Sequence, residues 1–213
     1  KALMLDGIIK TVIFIFVSPI VGFILGLVFG TAVYWIFRHW HPTKVDKIFR
    51  RGQLISAALY SLGHGGNDAQ KTMGIIASLL FSNGLIHIAE GQQFQDAIPL
   101  WVVLACHSAI ALGTMFGGWR IVKTMGQRVV KLRPVDGFCA ELGAAFNLFV
   151  ITSYFGIPVS TTHTITGAIM GVGTLRRFTA VRWGIAGKII WSWILTIPLS
   201  AFISSITYII AAK

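Results

Sequence analysis

An all-α, polytopic membrane protein is the fold class predicted by three features of the 213-residue sequence: its composition, its long uncharged stretches and the segregation of its basic residues. Mean hydropathy is +0.76, 55% of residues are hydrophobic and 12% are charged. A soluble domain carries about 25% charged residues, so this composition excludes a soluble enzyme domain. Five stretches contain no Asp, Glu, Lys or Arg: 27 residues at 11–37, 18 at 72–89, 23 at 97–119, 34 at 142–175 and 24 at 189–212. Each reaches the roughly 18–20 apolar residues that cross a hydrocarbon core. The alternation of barrel strands is absent, which leaves helices.

A net charge of +11 would suggest nucleic acid in a soluble protein, but the placement of the charge argues for topology instead. Of 18 Lys and Arg, 13 fall at 38–51, 119–136 and 176–182, three short inter-span segments that the positive-inside rule puts in the cytoplasm. Loop 83–97 has no Lys or Arg and carries Glu90 and Asp96, so it is expected outside. The expected partner is therefore the lipid bilayer and not nucleic acid.

The loop signs order the crossings within a single transmembrane domain, 1–213. A first span, about 8–37, runs inward; a second, about 53–82, runs out; a third, about 98–118, returns. Residues 137–175 have basic flanks on both sides and must start and finish inside. Their 39 residues would make about 58 Å of helix. Gly156 and Pro158 break them near the middle, so a hairpin of 137–155 and 158–175 is expected. A last span, about 184–212, leaves the C-terminus outside. The second span is also expected to be broken, because Gly63, Gly65 and Gly66 lie near its centre. Interrupted helices at bilayer depth line polar cavities and mark substrate sites in transporters built from repeats.

Cys106 and Cys139 lie inside or beside apolar segments and read as packing residues. No signal peptide is legible, and a chain that begins on Lys1 without Met is expected to be a fragment or a processed product.

Three constellations carry chemistry. In LGHGGNDAQKTMG, 62–74, Asn67 and Asp68 follow the glycines and precede a helical run. Either could cap a new helix whose free amides attract an anion, or Asn67 could be a cap alone. A carboxylate such as Asp68 is costly in a membrane unless paired, hydrated or bound to a cation. Lys71 lies one turn on, either in an intrahelical pair with Asp68 or facing the anion. Gln70 and Thr72 offer further polar groups or face a neighbouring helix, and His64 is a packing histidine or a proton carrier. In GIPVSTTHTITG, 156–167, Pro158 stops one helix, and Ser160, Thr161 and Thr162 can cap the next with hydroxyls suited to an oxyanion. His163 is balanced between packing and function. Finally, Glu141 stands one turn into the hairpin with Asn147 six residues later. It either takes a cation or proton or pairs with a loop residue such as Arg133.

At these residues the sequence resembles the inorganic phosphate transporter (Pit) family of cation-coupled symporters. The resemblance rests on HGGNDAQKTMG (64–74), ELGAAF (141–146) and GIPVSTTH (156–163), with AQKTMGII closer to bacterial members. Full-length members have two related halves, each with both motifs, whereas this chain has each motif once. The resemblance thus implies the C-terminal half of an inverted-repeat transporter in the bacterial inner membrane, completed by an N-terminal half or a second copy. It implies phosphate bound between the halves, with Asn67, Asp68, Ser160, Thr161 and Thr162 as this half's share. It also implies coupling to Na+ or H+ at Asp68 and Glu141, with no cofactor and no metal beyond sodium. No GxxxxGK[ST] loop is present to drive transport with ATP. An intramembrane enzyme using Ser160, a histidine and Glu141 is the remote alternative, since HExxH and GxSxG are absent. A passive anion channel or a structural half-subunit is the nearer one.

Overall fold

The computed structural model describes residues 5–87, 92–156 and 159–211, and among them every regular element is helical. Glu90 and Pro158, on which the acidic-loop and helix-stop expectations rest, lie outside the described residues.

Helix α1 (Leu5–Ile36) follows the first uncharged stretch and includes Pro19. Helix α2 (Pro42–Ser82) starts earlier than the charge pattern suggested. Pro42 sits in the first turn, where its fixed φ suits a helix and its missing N–H is no loss. Lys44, Lys47, Arg50 and Arg51 therefore ride on the opening turns of α2 rather than in a loop. Phe49 anchors those turns, edge-on to Phe37 and Phe138. At the other end Gly84, at φ +68°, closes the helix, and Leu85 N donates to Leu80 O at 2.9 Å.

The predicted break in α2 is not there: the helix runs unbroken through Gly63, Gly65 and Gly66. Glycine permits a break but does not impose one, and an interrupted ladder leaves backbone groups that an apolar surrounding cannot satisfy. Gly63 serves close packing instead. A Cβ there would stand 3.2 Å from Leu148 Cβ.

After a 3-10 turn (Phe94–Ala97) come α3 (Leu100–Gly117), the short α4 (Trp119–Lys123) and a π-helical turn (Thr124–Val129). The expected hairpin is present. Helix α5 (Pro134–Phe146), a π-helical turn (Asn147–Ile151) and α6 (Thr152–Phe155) form one arm, and α7 (Thr161–Arg176) forms the other. Gly156, at φ +61°, turns the chain where a side chain would be strained. A 3-10 turn (Phe178–Ala180) leads to α8 (Trp183–Ala211). Helices α1, α3 and α8 are long and apolar enough to cross a membrane over Gly7–Ile36, Leu100–Gly117 and Trp183–Ala211.

The tightest contact joins α1 to α7. Glycines mesh from both sides: Gly22 lies on the Thr164 carbonyl and Gly26 on that of Ala168, while Gly167 lies on the Pro19 carbonyl and Gly171 on that of Phe23. Small residues four apart let backbones touch where no hydrophobic drive separates protein from lipid. Gly143 of α5 fits against Leu25 and Gly26, so α1 holds both arms of the hairpin. A core of Cys139, Ala140, Ala168, Val172 and their neighbours fills the side of the bundle where Phe49 and Val130 pack, and Ala69, Met73, Val102 and Cys106 join α2 to α3. Both cysteines are buried and free.

The same side carries a buried carboxylate that sequence reasoning passed over. Asp136, 1% exposed, accepts hydrogen bonds from Tyr34 Oη at 2.6 Å and from the Arg133 N–H at 2.9 Å. Arg176 Nη1 completes an ion pair with it at 3.2 Å and also reaches the Lys131 carbonyl. One side chain thus fastens the ends of α1, α5 and α7 together.

Candidate functional site

The site grows from the start of α7. Ser160 takes extended dihedrals, and its Oγ accepts from His163 N at 3.4 Å, the expected cap. The first N–H groups of a helix have no intrahelical partners and carry the positive end of its dipole. Thr161 and Thr162 stand in that first turn, Thr161 buried and Thr162 exposed.

Helix α2 presents a polar stripe to this turn. Thr161 Oγ1 lies 2.8 Å from His64 Nδ1 and donates to Asp68 Oδ2 at 3.4 Å. The Thr161 carbonyl accepts from Tyr60 Oη at 3.3 Å, and Tyr60 stacks on His64. Asn67 Nδ2 donates to the Val159 carbonyl at 3.1 Å, holding the chain just ahead of the α7 cap. His64 also approaches Asp68 Oδ2, at 3.4 Å, and Lys71 Nζ pairs with Oδ1 at 2.8 Å.

Because α2 is continuous, neither Asn67 nor Asp68 caps a helix. The expected picture of two helix starts converging on one anion therefore reduces to a single start, that of α7. It is faced by side chains from the middle of α2 rather than by a second set of free amides.

Glu141 belongs to a separate cluster. Its carboxylate accepts from Ser56 Oγ at 2.5 Å and from Gln53 Nε2 at 3.4 Å. These neutral partners, from α2, stand where the alternative had put a basic loop residue such as Arg133. Ser56 and Asp68 are twelve residues apart on one helix, about 18 Å of rise, so the two carboxylates do not share a cation.

The remaining candidates separate. His163 turns away from Asp68, with Nδ1 on the Ile15 carbonyl at 3.3 Å and its ring stacked on Trp193 at 3.8 Å, so it packs α7 against α1 and α8. Gln70 is exposed. Asn147 is buried at the start of the π-helical turn, and its Nδ2 has no hydrogen-bond partner among the described residues.

Gln53, Ser56 and Tyr60 were not singled out from the sequence. The signal was available: Ser56, Tyr60, His64 and Asp68 recur every four residues, a polar row along one helix face.

The family model described as "Phosphate transporter family" matches residues 1–204. The chain belongs to this family. Family members and the named relatives are transporters rather than enzymes, and the chain is a multi-pass membrane protein. It is 55% identical over 99% of its length to a "Probable low-affinity inorganic phosphate transporter" of Rhizobium meliloti (strain 1021). It is 43% identical over 98% of its length to a Bacillus subtilis (strain 168) protein of the same description. The chain covers 61% of each of those relatives. It is also 33% identical over 76% of its length to "Sodium-dependent phosphate transporter 1" of Rattus norvegicus, of which it spans 23%. The solved structure titled "The sodium-dependent phosphate transporter" shares its fold, with a TM-score of 0.81 over 96% of this chain and 66% of the other, at 22% identity.

Proposed function

We propose that this chain is the C-terminal half of a secondary active symporter that brings inorganic phosphate across the bacterial inner membrane together with Na+ or H+. The observation that carries the reading is the meeting of α7's first turn with the middle of α2, through Thr161, Asp68 and Asn67. Phosphate would take hydrogen bonds from the Ser160, Thr161 and Thr162 hydroxyls and the amides of that turn, with Asn67 beside them. The bacterial relatives' description as low-affinity inorganic phosphate transporters supports phosphate as the substrate. The rat relative's sodium dependence supports a cation partner, at Asp68 or Glu141. The site is shared with an N-terminal half or a second copy, and alternating access moves the loaded site from one face to the other.

The test is radiolabelled phosphate uptake by proteoliposomes of the full-length protein under an imposed sodium or pH gradient. Accumulation above the equilibrium level, lost in Asp68→Asn, is the expected result. Uptake unchanged by that substitution removes Asp68 from the mechanism, and uptake that never exceeds equilibrium makes the protein a channel.

A further inference from the structure

Asp68 already has a cation. Lys71 Nζ lies 2.8 Å from Oδ1, while Oδ2 is approached by Thr161 Oγ1 and His64 Nδ1, both at 3.4 Å. The acid precedes the base by three residues on one helix, the order that also suits the helix dipole. The pair is not locked inside the protein: the Asp68 and Lys71 side chains are 32% and 52% exposed. A sodium ion coordinates through oxygen, and one seated on Oδ1 would sit beside an ammonium within about 4 Å, where like charges repel. Glu141 differs. Its donors Ser56 and Gln53 are neutral groups whose own oxygens can turn to a cation.

We propose that Lys71 is a specificity-determining residue, a tethered counter-cation that occupies the sodium-accepting position of Asp68 and keeps sodium out of it. The inference rests on the symport reading and chooses between its two carboxylates. Lys71 does permanently what a bound ion would do transiently: it neutralises Asp68 so that an anion can approach the Ser160–Thr162 turn. In this half, coupling then falls to the Glu141 cluster, about 18 Å away along α2. An arginine at 71 would serve the same purpose, since it keeps a cation on the carboxylate. A neutral glutamine would supply an amide oxygen in place of the ammonium and leave the carboxylate open to sodium.

The experiment measures phosphate uptake by the full-length protein in proteoliposomes with sodium or choline outside, at fixed pH. Lys71→Arg leaves the ratio of uptake in sodium to that in choline at its native value. Lys71→Gln raises that ratio at least threefold. If Lys71→Gln transports phosphate with the native ratio, or if Lys71→Arg raises the ratio as far as Lys71→Gln does, the proposal is overturned. Should Lys71→Gln not transport, thermal unfolding of the detergent-purified protein in sodium against potassium decides. Stabilisation by sodium that is larger in the variant than in the native protein upholds the proposal, and equal stabilisation overturns it. A native protein that carries no phosphate under any gradient fails the symport reading instead, while the unfolding comparison still decides on Lys71.

Discussion

Replacing Gly167 with alanine tests whether backbone contact between α1 and α7 holds the Ser160–Thr162 turn in place. A Cβ at 167 would land on the Pro19 carbonyl, well inside van der Waals contact, and the atoms it meets are main chain rather than the tip of a flexible side chain. The helices must therefore separate, and separation also opens the seats of Gly22, Gly26 and Gly171. Inserting a methyl into a packed contact of this kind costs about 1–3 kcal/mol. For a chain of this size, that corresponds to a fall of roughly 2–12 °C in unfolding midpoint. The control is Gly65→Ala, where nothing lies within 4 Å and the backbone is helical. There alanine is expected to be neutral or to stabilise by about 0.5–1 kcal/mol through helix propensity. Thermal unfolding of the two purified variants, followed by loss of the monodisperse peak on size exclusion, measures the difference. Equal stability of Gly167→Ala and the native protein would refute the meshed-backbone argument. Destabilisation by Gly65→Ala as large as that by Gly167→Ala would refute the continuity of α2.

Two other substitutions probe the ends of the hairpin. Arg176→Met leaves Asp136 with Tyr34 and a backbone amide but no cation, and breaking a buried pair in this way is expected to cost about 3–5 kcal/mol, seen as an earlier unfolding transition. His163→Phe keeps an aromatic ring on Trp193 and removes only the bond to the Ile15 carbonyl. Phosphate uptake should therefore survive it, and loss of uptake in a stably folded His163→Phe protein would return that histidine to the mechanism.

Much of the architecture was legible because it depends on local composition. The uncharged stretches anticipate α1, α3 and α8, and the basic flanks of 137–175 anticipate a hairpin turned at Gly156. The start of α2 was misplaced because charges were read as loop, whereas Phe49 packing and Pro42 carry the helix about eleven residues further back. Of the candidate site, Ser160 as a cap follows from residue type and the Asp68–Lys71 pair from spacing. The Glu141 partners do not, since Gln53 and Ser56 are 88 and 85 residues away.

By itself the sequence determined that the chain is helical, where its apolar segments lie and which ends its cations mark, since all three follow from residue type and order along a few turns. Only the tertiary structure decided whether three glycines break a helix and which carboxylate is held by a lysine rather than by neutral hydroxyl and amide groups. It also decided that His64 faces Thr161 while His163 faces Trp193. Those outcomes depend on the angle at which helices meet, and that angle is set by glycine seats distributed over α1, α5 and α7, where each seat has meaning only against the backbone it touches.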